Sequence, residues 1–174
     1  MLDTTNVIIL TERLKLVPIS LTNRNDIFNE FTKSITMYMI PQPSGDIKDV
    51  DAFINDSLVG MKKGSNLQLV ALNKQTDEFL GCVALHNIDK KDPKMGVWFK
   101  KNAHGNKYGQ EAMKGIKNWA DHNLDYDHIK YPVAVANIAS RKIAERLGGK
   151  VAREFIGKRQ DGQDMPEVEY IIKR

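Results

Sequence analysis

The sequence of 174 residues contains 26 Lys or Arg and 22 Asp or Glu residues, which gives a formal net charge of +4. Hydrophobic residues make up 41% and aromatic residues 7%, a composition that excludes collagen, a coiled coil and bulk disorder. Cys82 is the only cysteine, which excludes an internal disulfide and a zinc site built from two or more cysteines. We therefore expect one domain over residues 1–174, without a metal.

The first half of the chain is predicted to form a strand, two helices and three strands. Alternating apolar residues indicate strands, and apolar residues three or four positions apart indicate helices. In chain order the predictions are a strand at Arg13–Ile19, helices at Thr22–Phe31 and Ser44–Met61, and strands at Leu67–Leu72, Phe79–His86 and Met95–Phe99.

The second half alternates helices with strands. A basic loop at Asn102–Gly109 leads into a helix whose apolar positions include Ala112, Met113 and Ile116. A strand at Ile129–Val135, a helix at Ser140–Leu147 and a hairpin of Val151–Ile156 with Val168–Ile172 follow. This order predicts a mixed α/β domain in which a ligand lies where a strand ends and a helix begins.

Location and partners follow from charge and from the start of the chain. Residues 1–11 contain no basic segment followed by a long apolar run, so we expect no signal peptide, no membrane partner and a cytoplasmic protein. Basic residues are interspersed with acidic ones, and the aromatic residues follow apolar periodicities. A small anionic ligand is therefore favoured over nucleic acid.

The loop His104–Gly109 has the features of an anion site. Two glycines and two basic side chains precede a helix, whose first turn offers unpaired N–H groups and a partial positive charge. The spacing matches neither a P-loop nor the dinucleotide fingerprint. A simple turn with a solvated Lys107 is the alternative.

A second strand-to-helix junction lies at Asn137–Gly148. Asn137 and Ser140 stand at the predicted helix start, where either residue could serve as a cap. Because both predicted helices leave neighbouring parallel strands at the same edge, the two junctions are expected to form one site.

On these segments the chain resembles the GNAT superfamily of acetyl-CoA-dependent N-acetyltransferases, in the branch that acetylates the N-termini of ribosomal proteins. The matching segments are Thr11–Leu16, Gly81–Asp89, Gly105–Ala112 and Asn137–Gly148, the last of which carries an N-x-x-S…E-x-L-G pattern. The resemblance implies an α+β fold: a single GNAT-like domain with a mixed, mostly antiparallel sheet. Its central parallel strands splay apart and are flanked by helices.

The resemblance also implies where acetyl-CoA binds. The pantetheine arm would lie in the splay, the loop amides would hold the diphosphate, and Lys142 would reach the 3′-phosphate or remain solvated. The implied cofactor-binding residues are Val97, Trp98, Phe99, His104, Gly105, Asn106, Lys107, Tyr108, Gly109, Gln110, Asn137, Ser140 and Lys142.

Three departures from the family pattern bear on catalysis. Lys107 stands where the family has glycine, Ala144 where many members have a tyrosine acid, and Lys94 where a glutamate base is common. Ser140 is then the candidate acid for the leaving thiolate, and His86 or Asp89 is a substitute base or amine-binding group.

Without a strong base, the acceptor is expected to be weakly basic. Deprotonation at pH 7 costs about 4.6 kcal/mol for a lysine side chain and about 1.1 kcal/mol for an α-amine. We therefore expect acetyl transfer to an amine in a ternary complex. A protein N-terminus, a polyamine and an amino-sugar remain open as acceptors. A non-catalytic acyl-CoA-binding module is the alternative function, and the free edge of the final hairpin leaves a homodimer open.

Overall fold

One mixed sheet runs through residues 2–174, the part of the chain that the computed structural model describes. This described part contains eight strands and four α-helices. They are β1 (Ile9–Leu10), β2 (Leu14–Pro18), α1 (Arg24–Glu30), α2 (Ile47–Lys62), β3 (Asn66–Asn73), β4 (Phe79–His86), β5 (Lys94–Phe99), α3 (Tyr108–Asn123), β6 (His128–Ala134), α4 (Ile138–Arg146), β7 (Lys150–Lys158) and β8 (Asp164–Lys173).

The predicted order of elements is confirmed, with small differences at the ends. The sequence did not predict β1, because two residues carry no readable periodicity. The second helix begins at Ile47 rather than Ser44, because the Asp46 carboxylate accepts a hydrogen bond from Lys48 N at 2.9 Å and caps the helix there.

The strands lie in the order β1-β2-β3-β4-β5-β6-β8-β7, and only β5 and β6 are parallel neighbours. These two strands share a single register pair, Lys94 with Lys130, whereas β4 and β5 pair along their whole length. The predicted splay between the central strands is therefore confirmed.

Helices cover both faces of the sheet. On one face α3 packs against β1, β2, β4 and β5, and α4 packs against β6. On the other face α1 and α2 pack against β3 and β4. Residues 2–174 contain no helix that is both long enough and apolar enough to cross a membrane.

The turn between β7 and β8 reaches back to the segment that connects α1 with α2. Gln160 N donates to Ile40 O at 3.1 Å, and Gln42 N donates to Gln160 Oε1 at 2.8 Å. Arg159 Nη2 also donates to Gln42 Oε1 at 2.8 Å. The C-terminal hairpin thereby closes one side of the space above the α1 and α2 face.

Candidate active site

The splay exposes backbone polar groups of β5. The hydrogen bond from Lys100 N to Leu80 O sets the alternation of the β4–β5 ladder, so Trp98 pairs with β4. Val97 and Phe99 consequently direct their N–H and C=O groups toward β6, beyond the point where the two strands pair. This part of the β5 edge can therefore form hydrogen bonds with a ligand that lies between β5 and β6.

A loop with two left-handed residues follows β5 and leads into α3. Gly105 has φ +83° and Lys107, the N-cap residue of α3, has φ +63° and ψ +16°. No side chain caps the helix within the described residues, so the first-turn N–H groups of Tyr108, Gly109 and Gln110 stay available. Lys107 thus adopts a left-handed backbone conformation, which glycine adopts most readily, and the family has glycine at this position.

The polar side chains of this loop are engaged within the protein. His104 Nε2 lies 2.8 Å from Phe99 O, to which its N–H can donate, and Asn106 Nδ2 donates to Ala103 O and His104 O at 3.2 Å. Gln110 Oε1 accepts from Arg146 Nη1. The loop therefore presents its backbone amides, while these side chains hold its shape.

Sequence reasoning missed a pair that anchors the loop from outside. Glu111 Oε1 accepts hydrogen bonds from Thr11 Oγ1 at 2.6 Å and from Arg13 N at 2.7 Å, and Arg13 Nη2 donates to Asn106 O at 3.0 Å. Burial raises the pKa of Glu111, but the hydrogen bonds from Thr11 and Arg13 outweigh it and hold the pKa below its ordinary value. Both partners lie in segments that carry the family resemblance, which was the available signal.

The second junction brings Asn137 and Ser140 together at the start of α4. Asn137 Oδ1 accepts from Ser140 N at 3.1 Å, so Asn137 is the helix cap. Ser140 Oγ lies 2.8 Å from the hydroxyl of Tyr131, a buried β6 residue that sequence reasoning did not single out. Burial raises the pKa of Tyr131 to about 12, which keeps its phenol neutral. Lys142 is exposed on α4.

A cavity of about 580 Å³ lies on the opposite face of the sheet, between α1, α2 and the strands β3–β5. Its lining includes His86, Gly96, Val97 and Trp98. The Trp98 ring centroid is 5.2 Å from that of Phe31 and 5.9 Å from that of Phe79. The structure thus separates Trp98 from the loop and from α4, and puts its ring in this cavity.

His86 is the one histidine in the cavity lining. Burial lowers the pKa of His86, and the positive charge of Lys94 lowers it further, so the imidazole is neutral near pH 7. A Cβ added at Gly96 would lie 3.8 Å from His86 Nε2, so the ring extends over that glycine. Asp89, the other predicted base, forms an ion pair with Lys90 at 3.0 Å and does not line the cavity.

Two further buried groups lie near the splay. The thiol of Cys82 also lines the cavity, and burial raises its pKa, which keeps it protonated. On β8 the buried Glu167 pairs in register with Ala134, and burial raises the pKa of its carboxyl. Within residues 2–174 no cation forms an ion pair with Glu167, whereas Arg153 Nε lies 2.9 Å from Glu169 Oε1. Sequence reasoning missed the burial of Glu167, because the period of β8 alone does not say which face is covered.

Comparison with known proteins agrees with this geometry. The family model for the acetyltransferase (GNAT) domain matches residues 13–150. No curated protein sequence matches the chain.

Solved structures match the fold over nearly the whole chain. An acetyltransferase from Salmonella typhimurium that modifies the N-terminal serine of ribosomal protein L7/L12 has a TM-score of 0.85 at 12% identity, covering 97% of this chain and 99% of that one. The RimL ribosomal L7/L12 α-N-protein acetyltransferase in complex with coenzyme A has a TM-score of 0.86 at 12% identity, with 96% and 98% covered. The microcin C7 self-immunity acetyltransferase MccE, in complex with acetyl-CoA and AMP, has a TM-score of 0.82 at 19% identity, with 94% and 93% covered. At these identities the likeness shows a shared fold.

Proposed function

The chain belongs to the GNAT acetyltransferase family, and on this premise we propose that it moves the acetyl group of acetyl-CoA directly to an amine in a ternary complex. β5 carries the proposal, because one strand connects both halves of the site. Its end leads into the loop at residues 104–109, and its residues Gly96, Val97 and Trp98 line the cavity that contains His86. The free thiol of Cys82 is compatible with a cytoplasmic location.

The residues around the splay fit acetyl-CoA. The N–H and C=O of Val97 and the N–H of Phe99, which pair with neither β4 nor β6, would bind the amides of the pantetheine arm as a neighbouring strand would, while Phe99 O is engaged by His104. The first-turn amides of α3 and the charge of Lys107 would hold the diphosphate. When bound, acetyl-CoA supplies an activated thioester carbonyl.

Two side chains on opposite faces of the sheet, His86 and Ser140, would accept and donate the protons of the reaction. The neutral imidazole of His86 accepts the proton of the amine on the cavity side. Ser140 donates a proton to the departing thiolate, and the Tyr131 hydroxyl orients Ser140. Direct transfer is favoured over a covalent intermediate, because the cavity's only thiol, that of Cys82, is protonated and therefore a weak nucleophile.

Titration calorimetry with acetyl-CoA and CoA, followed by a thiol-release assay, tests the proposal. The assay panel contains α-amino amides, polyamines and aminoglycosides, and Ser140→Ala serves as the impaired variant, with Ser57→Ala in α2 as its control. We expect binding of acetyl-CoA and thiol release with at least one amine. Binding without release on any amine would support the non-catalytic acyl-CoA-binding module. Absence of binding would refute the assignment of the splay and loop to acetyl-CoA.

A further inference from the structure

The walls of the cavity beside His86 are predominantly apolar. Phe28 from α1, Phe31 directly after α1, Phe53 from α2 and Trp98 from β5 surround it. Phe28 is 37% exposed and Phe53 is 40% exposed, although both face this space. These two rings therefore retain apolar surface that a bound molecule would remove from water.

The charged residues that line the cavity are acidic. Asp46 and Asp49 stand among its lining residues on the segment that begins α2, and the lining described by the structure includes no lysine or arginine. Both aspartates are exposed, so they lie at the solvent side of the cavity, while His86 lies at the sheet side. The site therefore combines an apolar body with an acidic mouth, which attracts the ammonium form of an incoming amine toward a cavity whose walls favour apolar groups.

The volume corresponds to a small ligand. A cavity of about 580 Å³ falls within the range of roughly 300–1,000 Å³ that is usual for small-molecule sites. It accommodates one amino-acid residue with a bulky side chain, or an amine of similar size.

We propose that the acceptor is a primary amine attached to an aromatic or branched apolar group, held with that group against Phe28, Phe53 and Trp98. The inference rests on the proposed acetyl transfer and specifies its acceptor. A polyamine or an amino-sugar fits this lining poorly, because several ammonium or hydroxyl groups would lose water without gaining partners on apolar walls.

Amino-acid amides provide the first test, because their α-amines differ little in basicity while their side chains differ strongly. Acetyl transfer is measured with phenylalaninamide, leucinamide, serinamide and glycinamide, and with spermidine and kanamycin. Burial of the apolar side chain is expected to raise kcat/KM about 10- to 100-fold for phenylalaninamide over glycinamide. Equal values for the four amides, or a preference for spermidine or kanamycin, would overturn the proposal. A phenylalanyl dipeptide and phenethylamine distinguish a peptide N-terminus from a free arylalkylamine.

Two matched pairs of variants locate the preference in the cavity. Phe53→Ala is expected to reduce the phenylalaninamide-to-glycinamide ratio at least 5-fold, whereas Val59→Ala should leave it unchanged. Val59 is exposed on the same helix and lies outside the cavity lining. Asp49→Asn should raise the KM for phenylalaninamide several-fold, with Asp56→Asn as the control on the same helix. Equal effects of a variant and its control would contradict the assignment of Phe53 or Asp49 to the acceptor site.

Calorimetry separates failure of this inference from failure of the proposed function. Phenylalaninamide and glycinamide are titrated into protein saturated with CoA. Selective binding of phenylalaninamide without turnover would support the cavity assignment while refuting acetyl transfer to it. Turnover of amines without this selectivity would support acetyl transfer while refuting the apolar acceptor.

Discussion

Arg13 Nε lies 2.7 Å from Glu111 Oε2, and this ion pair connects the residue before β2 to the first turn of α3. The Arg13 guanidinium also lies 4.7 Å from the centroid of the Tyr108 ring and donates to the carbonyl of Asn106. The backbone of the loop at residues 104–109 is thereby fixed from a segment almost a hundred residues earlier. Its amides are held in place before any anion binds.

Arg13→Ala is expected to weaken acetyl-CoA binding about 10-fold and to lower the free energy of unfolding by about 1–2 kcal/mol. The variant leaves the Glu111 carboxylate without its charged partner and frees the loop. Calorimetry and urea unfolding measure the two effects. Lys15→Ala is the control, because Lys15 forms an exposed ion pair with Asp77 and its loss should change stability by less than about 1 kcal/mol. Identical binding constants for the two variants would exclude a positioning role for Arg13.

The pH dependence of kcat should follow the protonation of His86. Because burial and Lys94 lower the pKa of His86, the imidazole becomes protonated, and so unable to accept a proton, only below its ordinary pKa of about 6.5. The acidic limb of the profile is therefore expected below pH 6.5 and should be lost in His86→Gln. Lys94→Met should move the limb upward, whereas Lys91→Met, at an exposed ion pair, should not. NMR titration of the His86 ring measures the pKa directly. If Lys94→Met leaves the acidic limb of the pH profile unmoved, His86 is excluded as the base.

Tyr131→Phe should reduce kcat about 10-fold without a matching change in the KM for acetyl-CoA, because Ser140 loses the hydroxyl that orients it. Tyr170→Phe is a close control. Tyr170 is buried on the neighbouring strand in register with Tyr131, but its hydroxyl donates to Glu145 Oε1 at 2.9 Å instead. Tyr131→Phe loses one hydrogen bond and about 1 kcal/mol of stability, whereas Tyr170→Phe loses at least as much, because the Tyr170 hydroxyl also accepts from Arg141 Nε at 3.1 Å. Equal kcat values would indicate that the Tyr131 hydroxyl acts only in stability.

Lys107→Gly should be more stable than Lys107→Ala by about 1 kcal/mol, because the φ of +63° strains any residue with a Cβ. Both variants lose the lysine charge, so both should bind acetyl-CoA more weakly by a similar factor. Thermal unfolding and calorimetry separate these effects. At Lys101, which precedes the same loop without a positive φ, glycine should instead be the less stable of the two substitutions. A reversed order at position 107 would argue against the left-handed conformation.

Glu167→Gln is expected to stabilise the fold at pH 7. The raised pKa of Glu167 means that the folded state holds its proton more tightly than the unfolded chain does. Its contribution to stability is therefore complete below the ordinary pKa of about 4.3 and is lost as pH rises through the folded value. The variant should unfold at a higher temperature than the parent at pH 7, and the two should converge near pH 4. Glu169→Gln, which breaks the pair with Arg153, should show no such gain at pH 7.

Local patterns in the sequence predicted most of the sheet and helices but only part of the site. β4 and α3 were readable because a continuous apolar run and a helical stripe each act over neighbouring residues. The junctions at Gly105 and Asn137 were found for the same reason. The contact between Arg13 and Glu111 joins residues far apart in the chain, and neither carries a local signal for the other. Tyr131 had the apolar neighbours of a core residue, so its hydrogen bond to Ser140 could not be read from periodicity.

The single register pair between Lys94 and Lys130 divides the sheet into two ladders, β1–β5 and β6–β8. Each ladder is hydrogen-bonded continuously within itself, so opening fluctuations need not be shared between them. A molecule that pairs with Val97 and Phe99 on one side and packs against α4 on the other would couple the two ladders. Amide hydrogen exchange of both ladders should then slow together when it binds, which makes the ligand a determinant of folding cooperativity.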